Sequence, residues 1–260
     1  MARVNGLIKS SDIRGINPIF APPTRIGDDV PHHKGVDGIV IKYRSKAERI
    51  REVVPDIFTL EEEPVVTLMA VRYEASGIGP YHELILTTEV GWNGKTYDFN
   101  ILLLVDNEDS IYSGREYFGF PKVHASFDFN LRPDGRTGFM HVRVRRPEAV
   151  PVVEILFKPV REIPDPWAAM EGNNMLNIRV LPSGCGFNGG KPVVRQVVDL
   201  GMKVERGTSG EVWQGVGSIT YPINSEFDPF YKFPVVEYLS SVLLRNVDAR
   251  MDPLPKFHDF

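Results

Sequence analysis

A tight-turn signal in the middle of the chain separates two β-branched, apolar stretches. Asn93-Gly94 lies between residues 82–90 and 96–105, and both turn residues readily accept the positive φ angles of a two-residue hairpin. Two strands joined by so short a turn pair antiparallel. The turn therefore predicts a β-hairpin, and with it the start of an antiparallel sheet.

A second hairpin and further strands extend this pattern. Residues 124–131 and 138–145 flank Arg132–Thr137 (RPDGRT), which is rich in turn formers. The 23 glycines and 21 prolines mark the many turns that short strands require. Further strands are predicted at 38–44, 65–72, 152–158, 175–181, 192–205 and 211–221. The pattern predicts a mostly antiparallel α+β fold with a barrel-like or sandwiched core.

Three helices are predicted around these strands. Ser45 and Glu48 have the spacing of a capping box, which predicts a helix over 45–54. A short helix is expected over 108–117, and a longer one over 233–248. The apolar stripe of the longer helix consists of Val235, Leu239, Val242 and Leu243.

The chain is predicted to form one domain between two less regular ends. Residues 1–35 are rich in proline, glycine and charge, and we expect an extended N-terminal arm. Residues 36–250 are expected to form a single domain, since 260 residues with 42% hydrophobic content can bury a sizeable core. Residues 251–260 are expected to be an irregular tail that packs on a neighbouring subunit or covers a pocket mouth.

Composition excludes several classes of protein. The single cysteine, Cys185, cannot form an internal disulfide, so nothing calls for an oxidising compartment. A net charge of −4 argues against a general nucleic-acid binder. No apolar run approaches the ~18 residues of a membrane span, and the first residues lack the apolar segment of a signal peptide. We expect a cytoplasmic protein with neither a membrane nor a nucleic acid as its partner.

The stretch 106–125 contains the residues that indicate chemistry. A short helix is predicted there, and Gly119-Phe120-Pro121-Lys122 then brings a lysine beside aromatic and proline residues. Burial among apolar neighbours disfavours the ammonium form of a lysine. Because only the neutral amine attacks a ketone, Lys122 is a candidate nucleophile for Schiff-base formation.

Four motifs, in order along the chain, resemble those of acetoacetate decarboxylases. The segment 113–122, in which Ser-Gly-Arg-Glu precedes Phe-Pro-Lys, is similar to the family's Schiff-base segment, where G-R-E precedes Y/F-P-K. The other three are the loop 75–83 (ASGIGPYHE), similar to S-G-L-G-x-Y-x-E; the strand start 173–176 (NNML); and Tyr43-Arg44 with Val53-Val54-Pro55. From residue 38 to about 245, the chain therefore resembles a divergent member of the acetoacetate decarboxylase superfamily.

The resemblance implies a fold, an assembly and a site. The fold would be a cone-like β-barrel decorated by a few helices, and the protein would be a homo-oligomer. Lys122 would be the Schiff-base lysine, and Glu83 the acid that places or protonates a small keto-acid substrate. Acetoacetate decarboxylase is itself a standard example of a lysine activated by desolvation or by a neighbouring cation. The expected substrate-binding residues are Tyr81, Tyr112, Phe120 and Arg72.

Three positions depart from the family pattern. A second lysine follows the nucleophilic lysine in the decarboxylases, and this chain has Val123 there. The family's carboxylate-binding arginine aligns with Val36, and another family glutamate aligns with Thr67. The nearby residues that could replace the arginine are His33, Lys34 and Arg72.

Three functions are open at this point. An iminium on Lys122 would accept electrons, so a β-keto acid could lose carbon dioxide; this decarboxylation is the favoured prediction. The resulting enamine could instead attack an aldehyde and lose water, which is the reaction of an aldolase–dehydratase. A barrel could also bind an apolar carbonyl compound without catalysis. None of these uses a metal or a cofactor, and none is expected.

Overall fold

The protein is described from a computed structural model. The described residues are 5–13, 15, 17–20, 32–164, 172–184, 187–205, 210–251 and 254–260. Cys185 and residues 21–31 of the predicted arm lie outside them.

Fourteen strands and two α-helices form the described structure. The strands are β1 (His32–Arg44), β2 (Val65–Ala75), β3 (Tyr81–Trp92), β4 (Lys95–Val105), β5 (Lys122–His124), β6 (Ser126–Asn130), β7 (Met140–Arg145), β8 (Pro151–Glu162), β9 (Met175–Leu181), β10 (Val194–Leu200), β11 (Met202–Glu205), β12 (Glu211–Thr220), β13 (Glu237–Met251) and β14 (Lys256–Asp259). The helices are α1 (Ala47–Ile50) and α2 (Glu108–Phe118). Among the described residues, no helix is long and apolar enough to cross a membrane.

All fourteen strands belong to one mostly antiparallel sheet. Its order is β14-β10-β9-β4-β3-β2-β1-β13-β12-β8-β7-β6, with β11 beside β13 and β5 beside β4. The parallel pairs are β4 with β5 and β4 with β9. Asn93 and Gly94 have φ angles of 48° and 74°, as the predicted hairpin turn requires. The predicted α+β class with a mostly antiparallel sheet is confirmed.

The sheet curls back on itself. β6 is the last strand in the order, yet Phe127 and Phe129 of β6 pack against the ring of His82 in β3. The ring centroids lie 5.7 Å and 5.0 Å from that of His82. A flat sheet could not bring strands so far apart in the order into contact, so the sheet has the strong curvature of a barrel-like fold.

Alternation along the strands produces two large cores. In β3, Leu84 and Leu86 belong to the first core, while Tyr81 and Ile85 belong to the second core. Successive strand side chains point to opposite faces, so Glu83 shares a face with Tyr81 and Ile85. The second core therefore receives a buried carboxylate from near the start of β3.

Each predicted strand overlaps an observed one, but three other predictions are wrong. Residues 237–251 form strand β13, not the predicted helix, because they pair with β1 on one side and with β12 and β11 on the other. Leu239, a member of the proposed helical stripe, is 43% exposed. The tail is not irregular throughout, since β14 pairs with β10.

The third wrong prediction is the capping box at Ser45. The helix is only Ala47–Ile50, its N-cap is Lys46, and the Lys46 side chain makes no capping hydrogen bond. Ser45 is buried instead, with its backbone N–H donating to the carbonyl of Pro64 at 3.1 Å. Pairing with the neighbouring chain segment thus takes precedence over the local capping signal.

Candidate active site

The helix α2 forms where the sequence predicts it and shapes one wall of the site. Asn107 is its N-cap, and its side chain accepts a hydrogen bond from the backbone N–H of Ser110 at 2.9 Å. Gly119 ends the helix in the left-handed conformation, with φ of 70°. The chain can then turn at once into β5, which begins with Lys122.

Lys122 runs directly beneath the helix. It pairs with Leu103 of β4, and its side chain passes Gly114 of α2. A Cβ atom on Gly114 would lie 2.7 Å from Cδ and 2.9 Å from Cε of the lysine, closer than real atoms approach. The glycine in the Gly-Arg-Glu motif is therefore what allows the lysine side chain to lie where it does.

The amine of Lys122 is held by two polar partners in a buried setting. Its Nζ lies 2.9 Å from Oε1 of Glu83, and it donates a hydrogen bond to Oγ of Ser110 at 2.8 Å. Lys122 is 7% exposed and Glu83 is 3% exposed. Charges buried this deeply are costly unless they are paired, so this ion pair is a specific arrangement rather than a surface contact.

Tyr73 fixes the other oxygen of the carboxylate. Its hydroxyl donates to Oε2 of Glu83 at 3.1 Å from the neighbouring strand β2. Burial, and then the Glu83 carboxylate, raise the pKa of Tyr73 well above its usual value. The hydroxyl therefore stays protonated and remains a hydrogen-bond donor.

Two aromatic rings enclose the amine. Nζ of Lys122 lies 5.8 Å from the ring centroid of Tyr81 and 5.3 Å from that of Phe120. Both aromatic residues are buried. Burial is also the main reason that the pKa of the Tyr81 phenol is raised well above its usual value. The amine is thus flanked by aromatic rings and largely shielded from solvent.

His33 lies in the same cluster. It is buried in β1, with its ring 4.5 Å from that of Tyr73 and 6.2 Å from that of Tyr81. Burial, followed by the charges of Lys122 and His32, lowers the pKa of His33 to about 4. The imidazole is therefore neutral near pH 7.

A buried neutral histidine makes stability depend on pH. In the unfolded chain His33 would titrate near 6.5, so between pH 6.5 and 4 the unfolded state binds the proton and the folded state does not. Stability is thus lost as the pH falls through this window. Relative to His33→Phe, we expect the wild-type free energy of unfolding to fall by about 3 kcal/mol more between pH 7 and pH 4. Urea titrations at both pH values measure it, and parallel losses in the two proteins would contradict the expectation.

The structure brings four of the six predicted site residues together. Lys122, Glu83, Tyr81 and Phe120 form one cluster. Tyr112 is 44% exposed and lies on the side of α2 opposite the Ser110 and Gly114 face.

Arg72 does not join the cluster. Its neighbours in β2, Val71 and Tyr73, face the second core, so its side chain points to the other face of the sheet. There it forms an ion pair with Asp37 at 2.7 Å. The guanidinium therefore has a partner of its own, away from the amine.

The three departures from the family pattern lie at different places. Val36 is buried in the second core, beside the site. Val123 packs against the first core, on the side of β5 away from the Lys122 side chain. Thr67 shares a face of β2 with Tyr73 but lies six residues earlier in the strand.

Sequence reasoning missed Ser110, and did not give Tyr73 or Gly114 a role. The signal for Ser110 was its position four residues before Gly114 on one helix face. Finding Tyr73 required the β2–β3 register, which pairs it with Tyr81. Within the described residues, no cluster of three or more His, Cys, Asp or Glu side chains could hold a metal ion.

The motif residues surround one buried amine, and comparison with protein families shows which family has these motifs. The family model described as acetoacetate decarboxylase (ADC) matches residues 16–252. The chain belongs to the acetoacetate decarboxylase family. The chain is similar in sequence to Decarboxylase DEC1 of Cochliobolus heterostrophus. The two are 40% identical over 242 residues, which cover 93% of this chain and 94% of the relative.

Solved structures of low sequence identity share the fold. A structure from "Structural Studies of Acetoacetate Decarboxylase" superposes with a TM-score of 0.81 at 19% identity, covering 98% of this chain and 99% of the other. The enduracididine biosynthesis enzyme MppR, complexed with pyruvate, gives a TM-score of 0.67 at 16% identity, covering 87% and 90%. The names of these relatives support an enzyme of the lyase class.

Proposed function

We propose that the protein is a carbon–carbon lyase in which Lys122 forms a Schiff base with a small keto acid, and that its reaction is decarboxylation of a β-keto acid. The observation that carries the proposal is the buried contact between the Lys122 amine and Glu83. Desolvation penalises the charge of a lysine, so a lysine held between two aromatic rings and a buried carboxylate is a candidate for a chemical role.

The first steps form the iminium. Glu83 takes a proton from Nζ, and the neutral amine of Lys122 attacks the ketone carbon. The carbinolamine then expels its hydroxyl as water, with Glu83 returning the proton. Oγ of Ser110, which accepts a hydrogen bond from the amine, keeps the nitrogen at a fixed distance from the carboxylate.

The iminium then accepts the electron pair of the bond between the α-carbon and the carboxylate. The bond between the α-carbon and the carboxylate cleaves, carbon dioxide leaves, and the electron pair forms an enamine with Lys122. Glu83 takes up a new proton from water and delivers it to the enamine carbon, and hydrolysis of the resulting iminium releases the ketone and restores the amine. The iminium is the electron sink, so the chain's own lysine performs the role that a cofactor has in other decarboxylases.

The second candidate is an aldolase–dehydratase reaction through the same enamine. The observation in its favour is the fold shared with MppR, which has also been solved with the condensation product of pyruvate and imidazole 4-carboxaldehyde. Decarboxylation is favoured because the full-length relative at 40% identity is named a decarboxylase.

Product analysis distinguishes the two reactions. The protein is incubated with a panel of β-keto acids, and separately with pyruvate plus aldehydes, and the products are identified by mass spectrometry. We expect release of carbon dioxide and a ketone from at least one β-keto acid. Condensation products without carbon dioxide release would favour the second candidate, and no product from any mixture would contradict both.

Tyr73 is predicted to support proton transfer without reacting itself. Tyr73→Phe removes the hydrogen bond to Oε2 of Glu83, so we expect kcat to fall about tenfold or more, because hydrogen bonds to charged groups are worth about 1.5–3 kcal/mol. The matched control is Tyr43→Phe, a buried tyrosine of the first core that bonds Tyr221 and the Phe233 carbonyl. An equal fall in kcat for both variants would contradict the assignment.

A further inference from the structure

His33 has a buried polar atom without a partner. Within the described part of the chain its Nδ1 makes no hydrogen bond, although the residue is only 7% exposed. Buried nitrogen atoms in native proteins almost always have a partner, and an unpaired one needs a specific explanation, such as a functional role or a bound water or ion. Nδ1 of His33 is therefore available to a bound ligand.

The position of His33 points to the substrate as that ligand. Its ring packs against Tyr73 and Tyr81. Tyr73 donates a hydrogen bond to Glu83, and Tyr81 lies beside the Lys122 amine. A keto acid bound through its carbonyl carbon to Nζ would extend its remaining atoms along these same aromatic rings.

His33 is the one buried basic side chain of the described residues that lies near the amine and has a nitrogen free to bind a carboxylate. Among the described residues, the buried basic side chains are His33, Lys122 and Lys232. Lys232 is paired with Glu52 at 2.9 Å and with Glu226 at 3.5 Å. Arg72 points away, as described above, and Val36 on the same strand as His33 has no donor.

We propose that His33 binds the substrate's carboxylate through a hydrogen bond donated by Nδ1–H. This inference rests on the proposed function, since it names the group that recognises the acid end of a substrate whose ketone reacts with Lys122. The imidazole would bind the carboxylate in place of the family's arginine, which aligns with Val36 in this chain.

A neutral donor suits the proposed reaction. The lowered pKa of His33 keeps the ring uncharged near neutral pH, so it orients the carboxylate without the strong ion pair that a guanidinium would form. Strong stabilisation of the carboxylate before reaction would oppose its departure as carbon dioxide. A single neutral hydrogen bond gives orientation with less of that opposition.

A pair of ligands separates carboxylate binding from Schiff-base formation. 4-Oxopentanoate is a keto acid that cannot lose its carboxylate through the enamine, and pentan-2-one is a neutral ketone of the same chain length. Each is titrated against the protein with borohydride, and the concentration that gives half-maximal adduct on Lys122 is read by mass spectrometry. His33→Phe is expected to raise this concentration about 10- to 100-fold for 4-oxopentanoate and to leave it within about twofold for pentan-2-one.

Two further variants keep the test valid if the phenylalanine variant does not fold. The amide nitrogen of an asparagine is as many bonds from the backbone as Nδ1, whereas that of a glutamine is as distant as Nε2. We expect His33→Asn to trap 4-oxopentanoate within about threefold of wild type and His33→Gln to resemble the phenylalanine variant. Equal weakening of both ligands, or no weakening of either, would overturn the proposal. If neither ligand is trapped on wild-type Lys122, the proposed function itself fails and this inference fails with it.

Discussion

Lys122→Ala is expected to abolish turnover of the β-keto acid, with kcat falling about 10⁴-fold or more. The amine is the only atom in the proposed mechanism that bonds to the substrate, and no side chain in the cluster replaces it. In the variant, Tyr73 still donates its hydrogen bond to the Glu83 carboxylate, so that side chain keeps a buried polar partner. We therefore expect a folded protein, as judged by circular dichroism and thermal melting, with no detectable product.

Lys232→Ala is the matched control for this loss. Lys232 is also a buried lysine, and its hydrogen bond and ion pair with Glu52 raise its pKa, which keeps it charged. That variant is expected to keep turnover. A Lys122→Ala protein that retained turnover would contradict the mechanism. If wild type and Lys122→Ala bound the keto acid equally tightly and neither turned it over, the result would favour the simple binding function.

Gly114→Ala is expected to lower kcat about 100-fold or more while leaving the fold intact. The added Cβ would overlap Cδ and Cε of Lys122, so the flexible lysine chain must move and take its amine away from Glu83 and Ser110. A displacement of about 1 Å at a reacting group is enough for such a loss. Steady-state kinetics on a β-keto acid that the wild type turns over measures it.

The stability of the same variant makes the result distinctive. Glycine to alanine in a helix ordinarily raises helix stability by up to about 1 kcal/mol, so a loss of activity cannot be ascribed to a weaker helix. Ser113→Ala is the adjacent control in α2, since its hydroxyl bonds only the Asp109 carbonyl and its side chain lies on another face. Normal kcat in Gly114→Ala would mean that the amine position described above is not the reactive one.

Much of the sheet was predictable because its signals are local. The Asn93-Gly94 turn and the alternating strands around it follow from backbone preferences of a few residues. β13 was not predictable in this way, because its stripe at helical spacing competes with pairing to strands far along the chain, such as β1. Long-range pairing decided that segment.

The same division applies to the site. Lys122 and Glu83 were reached through motifs, and the structure places them 2.9 Å apart although they come from different strands. Arg72 was proposed from its proximity in sequence, but strand alternation directs it to Asp37. The pairing register of the strands and the face of the sheet on which a side chain lies decide which residues near a motif reach the amine. Sequence motifs specify neither.

The most direct test of the proposed mechanism is to locate the Schiff base. The protein is incubated with a panel of small keto acids and borohydride, digested, and its peptides are analysed by mass spectrometry. We expect a reduced adduct on the peptide containing Lys122 and none on the peptide containing Lys232, which serves as the internal reference. An unmodified Lys122 across the whole panel, or adducts distributed equally over both lysines, would contradict the mechanism.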